Sequence, residues 1–182
     1  MSIIANRYAE SLFSLGLDKN KVDIYKEDLK KVRNAFQNVD NLKDFFSSEQ
    51  ISKDDKKEVL ISVFKNKLNK DILNFLKLLV DKGRISYYED IIKAYIHLAN
   101  DELNIKEGII ESPRSLDAKS IKKLEKALSS KDIKVELHER INPSLISGFK
   151  VIFDDEVIDA SMKEKINKLH NSLSNKGGKQ WN

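Results

Sequence analysis

Ile72-Leu73-Asn74-Phe75-Leu76-Lys77-Leu78-Leu79-Val80-Asp81-Lys82 is the stretch on which the fold turns. At 100° per residue its apolar side chains, Ile72, Leu73, Phe75, Leu76, Leu78, Leu79 and Val80, sweep an arc of roughly 220° and leave only Asn74 and Lys77 for water. A helix on the surface of a helical bundle needs about half of that arc. Two readings fit. Either the helix is central and walled by neighbours on both sides, or one side packs inward while the other forms part of a groove for a partner's amphipathic helix.

This helix starts near Asn69 and stops at Gly83, and the chain on its N-terminal side is helical throughout. Ile4, Tyr8, Leu12 and Leu15 follow the helical period, so a first helix is predicted over Ile3 to Leu15, with Ser2 as N-cap and Gly16 as the left-handed C-terminal residue. It also carries the small residues Ala5, Ala9 and Ser11, with Phe13 on another side, so it too is apolar or small over more than one face. Small side chains permit close helix approach. A second helix, about Lys21 to Asn38, sets Val22, Tyr25, Leu29, Val32, Phe36 and Val39 on one stripe. Leu42, Phe45 and Phe46 mark a short third, and Ser52 with Asp55 forms a capping box opening a fourth that carries Val59, Leu60, Val63 and Phe64. A long sixth follows Ser86, with Tyr88, Ile91, Ile92, Tyr95, Leu98, Ala99 and Leu103 on its inner side. The expected fold class is mainly α: a six-helix bundle over residues 1–105.

The pattern changes near Gly108. Ile109 and Ile110 are β-branched, Ser112 and Pro113 interrupt, and Leu116 to Leu128 returns to helical spacing. Ile133, Val135 and Leu137 alternate with Lys134, Glu136 and His138 as in a half-buried strand. Phe149, Val151 and Phe153 alternate again, Asp154 and Asp155 read as a turn, and Val157 and Ile158 begin the return strand of a hairpin. A closing helix from about Met162 to Leu173 bears Ile166, Leu169 and Leu173. A small α/β domain is therefore expected over 106–173, followed by a disordered tail at 174–182.

Bulk properties narrow the function more by exclusion than by suggestion. The 182 residues suffice for two small domains, and 40% apolar with 34% charged residues describes a packed core under a charged surface. Thirty-three basic residues face twenty-nine acidic ones, interspersed, so a net charge of +4 is a weak pointer to nucleic acid. The absence of cysteine excludes disulfides, thiolate metal sites and Cys nucleophiles. No apolar run approaches the roughly 18 to 20 residues that span a bilayer, so neither membrane insertion nor secretion is expected.

Chemistry-bearing residues form no recognisable constellation. His97, His138 and His170 are scattered, without ligand-pair spacing or a triad setting. Asp154, Asp155, Glu156 and Asp159 cluster where a turn needs such residues, Gly177 and Gly178 sit in a polar tail, and Lys163, Lys165 and Lys168 mark the wet face of the last helix. No catalytic residue, metal ligand or cofactor site is expected.

Three stretches carry a family resemblance: Asn6-Arg7-Tyr8-Ala9-Glu10-Ser11-Leu12-Phe13; Phe75-Leu76-Lys77-Leu78-Leu79-Val80-Asp81-Lys82-Gly83-Arg84-Ile85; and Asn142-Pro143-Ser144-Leu145-Ile146-Ser147-Gly148-Phe149 continuing to Val157-Ile158-Asp159-Ala160-Ser161. In this order they span nearly the whole chain and resemble the delta subunit of bacterial F-type ATP synthases, the relative of the mitochondrial oligomycin-sensitivity-conferring protein. Ser147 and Ala160 replace glycines usual in that family, and Asn142 and Ser112-Pro113-Arg114-Ser115-Leu116 also depart from its pattern.

The resemblance implies a non-catalytic stator subunit without cofactor or metal. Its helical bundle would bind the N-terminal helix of an alpha subunit of the catalytic head, and its C-terminal domain the b-subunit of the peripheral stalk, so that the head does not turn with the rotor. It would lie at the cytoplasmic face of the cell membrane, touching the membrane only through the complex. The alpha-binding groove would run between the first and fifth helices and use Tyr8, Ser11, Phe75, Leu78 and Leu79, with Tyr25 nearby. Arg84 has two open roles: capping the fifth helix's last carbonyls or bonding a partner carboxylate. A basic helical nucleic-acid-binding protein is the alternative, and a small enzyme built on the Asp154 cluster is a more distant one. Nucleic-acid binding would collapse steeply with salt, whereas an apolar groove is comparatively salt-tolerant.

Overall fold

The structure is a computed structural model and describes residues 2–39, 41–153 and 157–159. The chain divides into two compact units that meet between Leu103 and Asn104.

The first unit holds α1 (Ile3–Asp18), α2 (Val22–Asn38), α3 (Leu42–Ser47), α4 (Lys53–Phe64), α5 (Lys70–Asp81) and α6 (Tyr88–Glu102), with a 3-10 turn, Ile85–Tyr87, leading into α6. Its core gathers Leu29 and Val32 of α2, Leu60 of α4, Ile72, Leu76 and Leu79 of α5, and Ile91, Ile92 and Tyr95 of α6. The methyl groups of Ala5 and Ala9 are wholly buried and let α1 lie close against α6. The Tyr95 hydroxyl, deep in this packing, donates to the Val22 carbonyl at 3.2 Å.

The width of α5's apolar arc has mostly the plainer of its two causes. Ile72, Phe75, Leu76, Leu79 and Val80 are buried and Leu73 packs against the core, which leaves Leu78, 43% exposed, as the one large apolar side chain of α5 open to water.

Gly16 does not end α1. The helix continues to Asp18, and Gly16 is buried where a Cβ would stand 3.0 Å from Tyr95 Oη and 3.3 Å from Tyr25 Cδ2. Close approach, not a left-handed backbone, is what requires glycine there. The left-handed residue is Asn20, with φ 51°. Around it, Lys21 N–H donates to the Gly16 carbonyl and Asn20 N–H to Leu17, the paired bonds of a Schellman cap. At the other end, Ser2 occupies the N-cap position, but its side chain makes no capping bond. The Ser52 cap forms as its residues dictate: Asp55 N–H donates to Ser52 Oγ, and that hydroxyl donates to the Asp55 carboxylate.

The second unit is a mixed sheet in the order β2-β1-β3-β4, built from β1 (Ile105–Ser112), β2 (Lys134–Ile141), β3 (Lys150–Ile152) and β4 (Val157–Asp159). β1 and β2 are parallel, with Gly108 opposite Leu137, and need the crossover that α7 (Ala118–Leu128) provides. β3 and β4 form the antiparallel hairpin, Ile152 opposite Val157. Ile110, Val135, Leu137, Val151 and Phe153 make its core, with Ile121, Leu124 and Leu128 of α7 against them.

Other boundaries shift from the sequence expectation as well. α7 starts at Ala118 and not at Leu116, because the Asp117 carboxylate accepts the Ser120 N–H at 2.8 Å and caps it. Ile133 falls outside β2 and is 46% exposed, its N–H turned to the Ser130 hydroxyl. Asp154, Asp155 and Glu156, the closing helix with Lys163, Lys165, Lys168 and His170, and the tail with Gly177 and Gly178 lie outside the described residues.

Replacing Gly16 by Leu forces the Tyr25 and Tyr95 rings apart and should cost about 2 kcal/mol or more. Asn20→Gly, which keeps the left-handed turn, should stay within a few tenths of a kcal/mol, roughly, of the parent. Urea unfolding followed by far-UV circular dichroism checks both. Equal stability for Gly16→Leu and the parent would contradict the close-approach account.

Candidate functional site: a trough between two helices

α1 and α5 run antiparallel along one side of the helical unit. Lys19, just beyond α1, pairs with Asp71 in the first turn of α5 at 2.7 Å, while Tyr8, near the start of α1, meets Phe75 edge-to-face with ring centroids 6.3 Å apart. Tyr8, Ser11, Leu12 and Leu15 face Asp71, Asn74, Phe75 and Leu78, and the eight residues enclose a hollow of about 370 Å³. Each row has the i, i+3, i+4, i+7 spacing that places four side chains on one face of a helix.

A second hollow of about 400 Å³ adjoins it toward the start of α1, lined by Ile3, Ile4, Arg7, Tyr8, Ser11 and Arg84. Because Tyr8 and Ser11 line both, the two make one trough, about 17 Å long from Ile4 to Leu15 at 1.5 Å per residue. Its floor is the buried Leu12, and its rim carries Leu78, Leu15 and Ile3, the last 81% exposed. The Ser11 hydroxyl donates to the Arg7 carbonyl at 2.8 Å, so it asks for no bond from an occupant.

The Asp71 end is fixed electrostatically. Asp71 accepts from Lys19 Nζ at 2.7 Å and from Tyr25 Oη at 2.6 Å, with Lys21 Nζ at 3.9 Å. The Lys19 bond first, and the Tyr25 bond second, hold its carboxyl below the usual carboxylate range. Burial, followed by the bond to Asp71, pushes the Tyr25 hydroxyl well above the ordinary tyrosine range. Buried Asp28, also on α2, accepts the Asn69 N–H at 2.6 Å and Lys31 Nζ at 2.8 Å, so α2 grips the start of α5 at two points.

At the other end the backbone caps α5. Gly83, with φ 65°, sends its N–H to Val80, and Arg84 N–H reaches the Leu79 carbonyl at 2.7 Å. This is a second Schellman cap, and it leaves the Arg84 side chain without a capping task. Its guanidinium lies 5.9 Å from the Tyr87 ring centroid.

Of the residues expected in the groove, Tyr8, Ser11, Phe75 and Leu78 line it and Arg84 closes its far end. Leu79 does not line it: one residue on from Leu78 it has turned 100° into the core, where it is 1% exposed. Tyr25 does not line it either; it is buried on α2 and reaches the trough only through Asp71. Ile3, Ile4, Arg7, Leu12, Leu15, Asp71 and Asn74 complete the lining. Steps of three and four from Tyr8 and Phe75 reach Ile4, Leu15, Asp71 and Leu78, so helical spacing alone holds the signal for much of the set.

The second unit has an open hollow of its own, about 670 Å³, between Ser112 to Leu116 and Pro143 to Phe149. Beside it the Glu111 carboxylate accepts from Asn142 Nδ2 and from the Arg140 guanidinium, bonds that lower its pKa and tie β1 to β2 and the segment after it. Among the described residues no group of three His, Asp or Glu side chains is placed to hold a metal ion, and no helix is long and apolar enough to cross a membrane.

Fold and trough define a mainly helical protein that carries a small mixed sheet and an apolar trough between two of its helices. The family model described as ATP synthase delta (OSCP) subunit matches residues 4–173. The chain is 38% identical to the ATP synthase subunit delta of Clostridioides difficile, over 96% of this chain and 97% of that one. It is 32% identical to that of Syntrophomonas wolfei, over 93% and 94% of the two chains. The chain belongs to the ATP synthase delta (OSCP) subunit family, whose members are structural and not catalytic subunits of the complex. Its fold matches a chain in the cryo-EM structure of the Toxoplasma gondii mitochondrial ATP synthase hexamer with a TM-score of 0.65 at 22% identity, covering 94% of this chain and 98% of that one. The nucleic-acid alternative finds no support in these relationships.

Tyr25→Phe should cost about 1 kcal/mol by removing the bond to Asp71. Asp71→Asn should show a pH signature. Because the folded-state pKa of Asp71 lies below its unfolded value, its stabilisation is present above about pH 4 and is lost as pH falls through the depressed value. The stability gap between parent and Asp71→Asn, measured by urea unfolding, should therefore be widest near neutrality and close in acid; a gap that does not change with pH would contradict the assignment.

Proposed function

We propose that this chain is the stator subunit that links the catalytic head of an F-type ATP synthase to its peripheral stalk. Residues 1–105 form the head-binding part, and the trough between α1 and α5 receives the N-terminal helix of an alpha subunit. Residues 106–173 meet the b-subunit stalk. The protein works at the cytoplasmic face of a bacterial membrane and reaches that membrane only through the complex.

The observation that carries this reading is the pair of facing rows, Tyr8-Ser11-Leu12-Leu15 and Asp71-Asn74-Phe75-Leu78, with Leu78 left open to water. A helix laid between two such rows buries its own i, i+3, i+4, i+7 anchors against them. Isolated exposed leucines need no explanation; one set between a ring pair and a second apolar rim does. A stator holds against torque by long-lived contact, for which an interface of about 800 Å² on each partner is a normal size. Nothing in that task calls for a reactive side chain.

Titration of the full-length protein with a peptide matching the alpha subunit's N-terminal segment from the same cell should give saturable binding. Because Leu78 is exposed, Leu78→Asp should fold normally and weaken binding about 100-fold or more, and Phe75→Asp should do the same if it folds. Affinity should change less than about tenfold between roughly 0.05 and 0.5 M salt. Failure to saturate, or binding undiminished in folded Leu78→Asp, would remove the groove from the account.

A further inference from the structure

We propose that the trough has a direction: Arg7 and Arg84 form a cationic end that takes a carboxylate of the bound helix, whose apolar stripe then runs toward Leu15. The proposal rests on the groove reading above and goes beyond it by assigning a charge and an orientation to the occupant.

Both guanidinium-bearing residues are exposed and line the same hollow with Ile3, Ile4, Tyr8 and Ser11. Among the described residues, neither has a carboxylate within ion-pair distance. The role that would otherwise occupy Arg84, closing the carbonyl end of α5, is performed by its own backbone N–H and that of Gly83. Its contact with the Tyr87 ring leaves the planar N–H fork available.

The opposite end differs in kind. Its cations are committed: Lys19 bonds Asp71 at 2.7 Å, Lys21 stands 3.9 Å from the same carboxylate, and Tyr25 donates to it as well. An additional acid there would meet Asp71 before it met a free cation. The trough is thus apolar through its middle, with two lysines already turned to one carboxylate at the Asp71 end and, at the Arg84 end, two arginines with no carboxylate partner among the described residues. An amphipathic helix with a carboxylate at one end of its apolar stripe fits in one direction and leaves that acid unpaired in the other. Partly exposed ion pairs contribute modestly, so the expected effect is on orientation and selectivity more than on total affinity.

The test uses the same alpha-segment peptide and a counterpart in which its Asp and Glu residues are replaced by Asn and Gln. The parent protein should bind the acidic peptide about tenfold more tightly, and the doubly substituted Arg7→Gln, Arg84→Gln protein should bind the two peptides equally. Leu78→Asp should abolish binding of both. A parent protein that does not distinguish the peptides, or a doubly substituted protein that keeps the preference, overturns the cationic end while leaving the groove in place. If neither peptide binds the parent, the groove fails and the proposal with it. The chain contains no cysteine, so Ile3→Cys and Leu15→Cys give clean spin-label sites. A label at the peptide's acidic end should lie nearer position 3 than position 15, and the reverse order overturns the direction.

Discussion

The Asp71 carboxylate joins three helices at one point: it opens α5, accepts the Tyr25 hydroxyl from α2, and pairs with Lys19 at the end of α1. Much of what makes α1 and α5 a trough follows from that junction. A buried phenol without a partner, or a carboxylate cut off from both bonds, costs more than the bond contributes when made, so neither helix can drift without a penalty. Asp28 adds a second restraint one turn further along α2 by taking the Asn69 N–H, one of the groups that a helix start leaves unpaired. With the near end held so, the spacing at the middle is set by the Tyr8 and Phe75 rings and the floor by Leu12.

Element order was legible in the sequence because each helix repeats its apolar residues at three and four and each strand at two. Helix ends were less so, for an identifiable reason. Gly16 reads as a terminator on composition, yet its missing side chain serves the packing against Tyr95 and Tyr25, a relation across 79 and nine positions that local pattern does not encode. Asparagines with positive φ stand just past the ends of α1, α4 and α6, at Asn20, Asn66 and Asn104, while Asn41 opens α3 and Gly83 closes α5. Asparagine tolerates the left-handed region through its short polar side chain, and in this chain it does the work that a search for glycine looks for elsewhere.

The candidate site divides along the same line. Tyr8, Ser11, Phe75 and Leu78 were reachable because each helix shows its own excess of small or apolar surface. The apolar arc takes in Leu79 and passes over Asp71, because it says how much surface must be covered, not by what. Of the seven apolar residues on α5, six are covered from within the unit and only Leu78 is left over. The Tyr25–Asp71 bond spans 46 positions and has no periodic trace, so only the folded chain reveals that Tyr25 supports the trough without lining it.

An apolar trough that stays open without an occupant needs walls that cannot collapse into it. α1 is pinned behind by the buried methyls of Ala5 and Ala9 against α6, where no long side chain is available to rearrange. α5 is pinned by its five buried side chains, and both of its ends are closed by fixed hydrogen bonds, at Asn69 and at Gly83 with Arg84. The edge-to-face contact of Tyr8 and Phe75 acts as a spacer between the helices. On the proposed reading, a preformed trough spares an incoming helix the cost of ordering its receptor, so more of the apolar burial appears as residence time. A static link needs that property, since its contact must outlast many turns of the machinery it holds still.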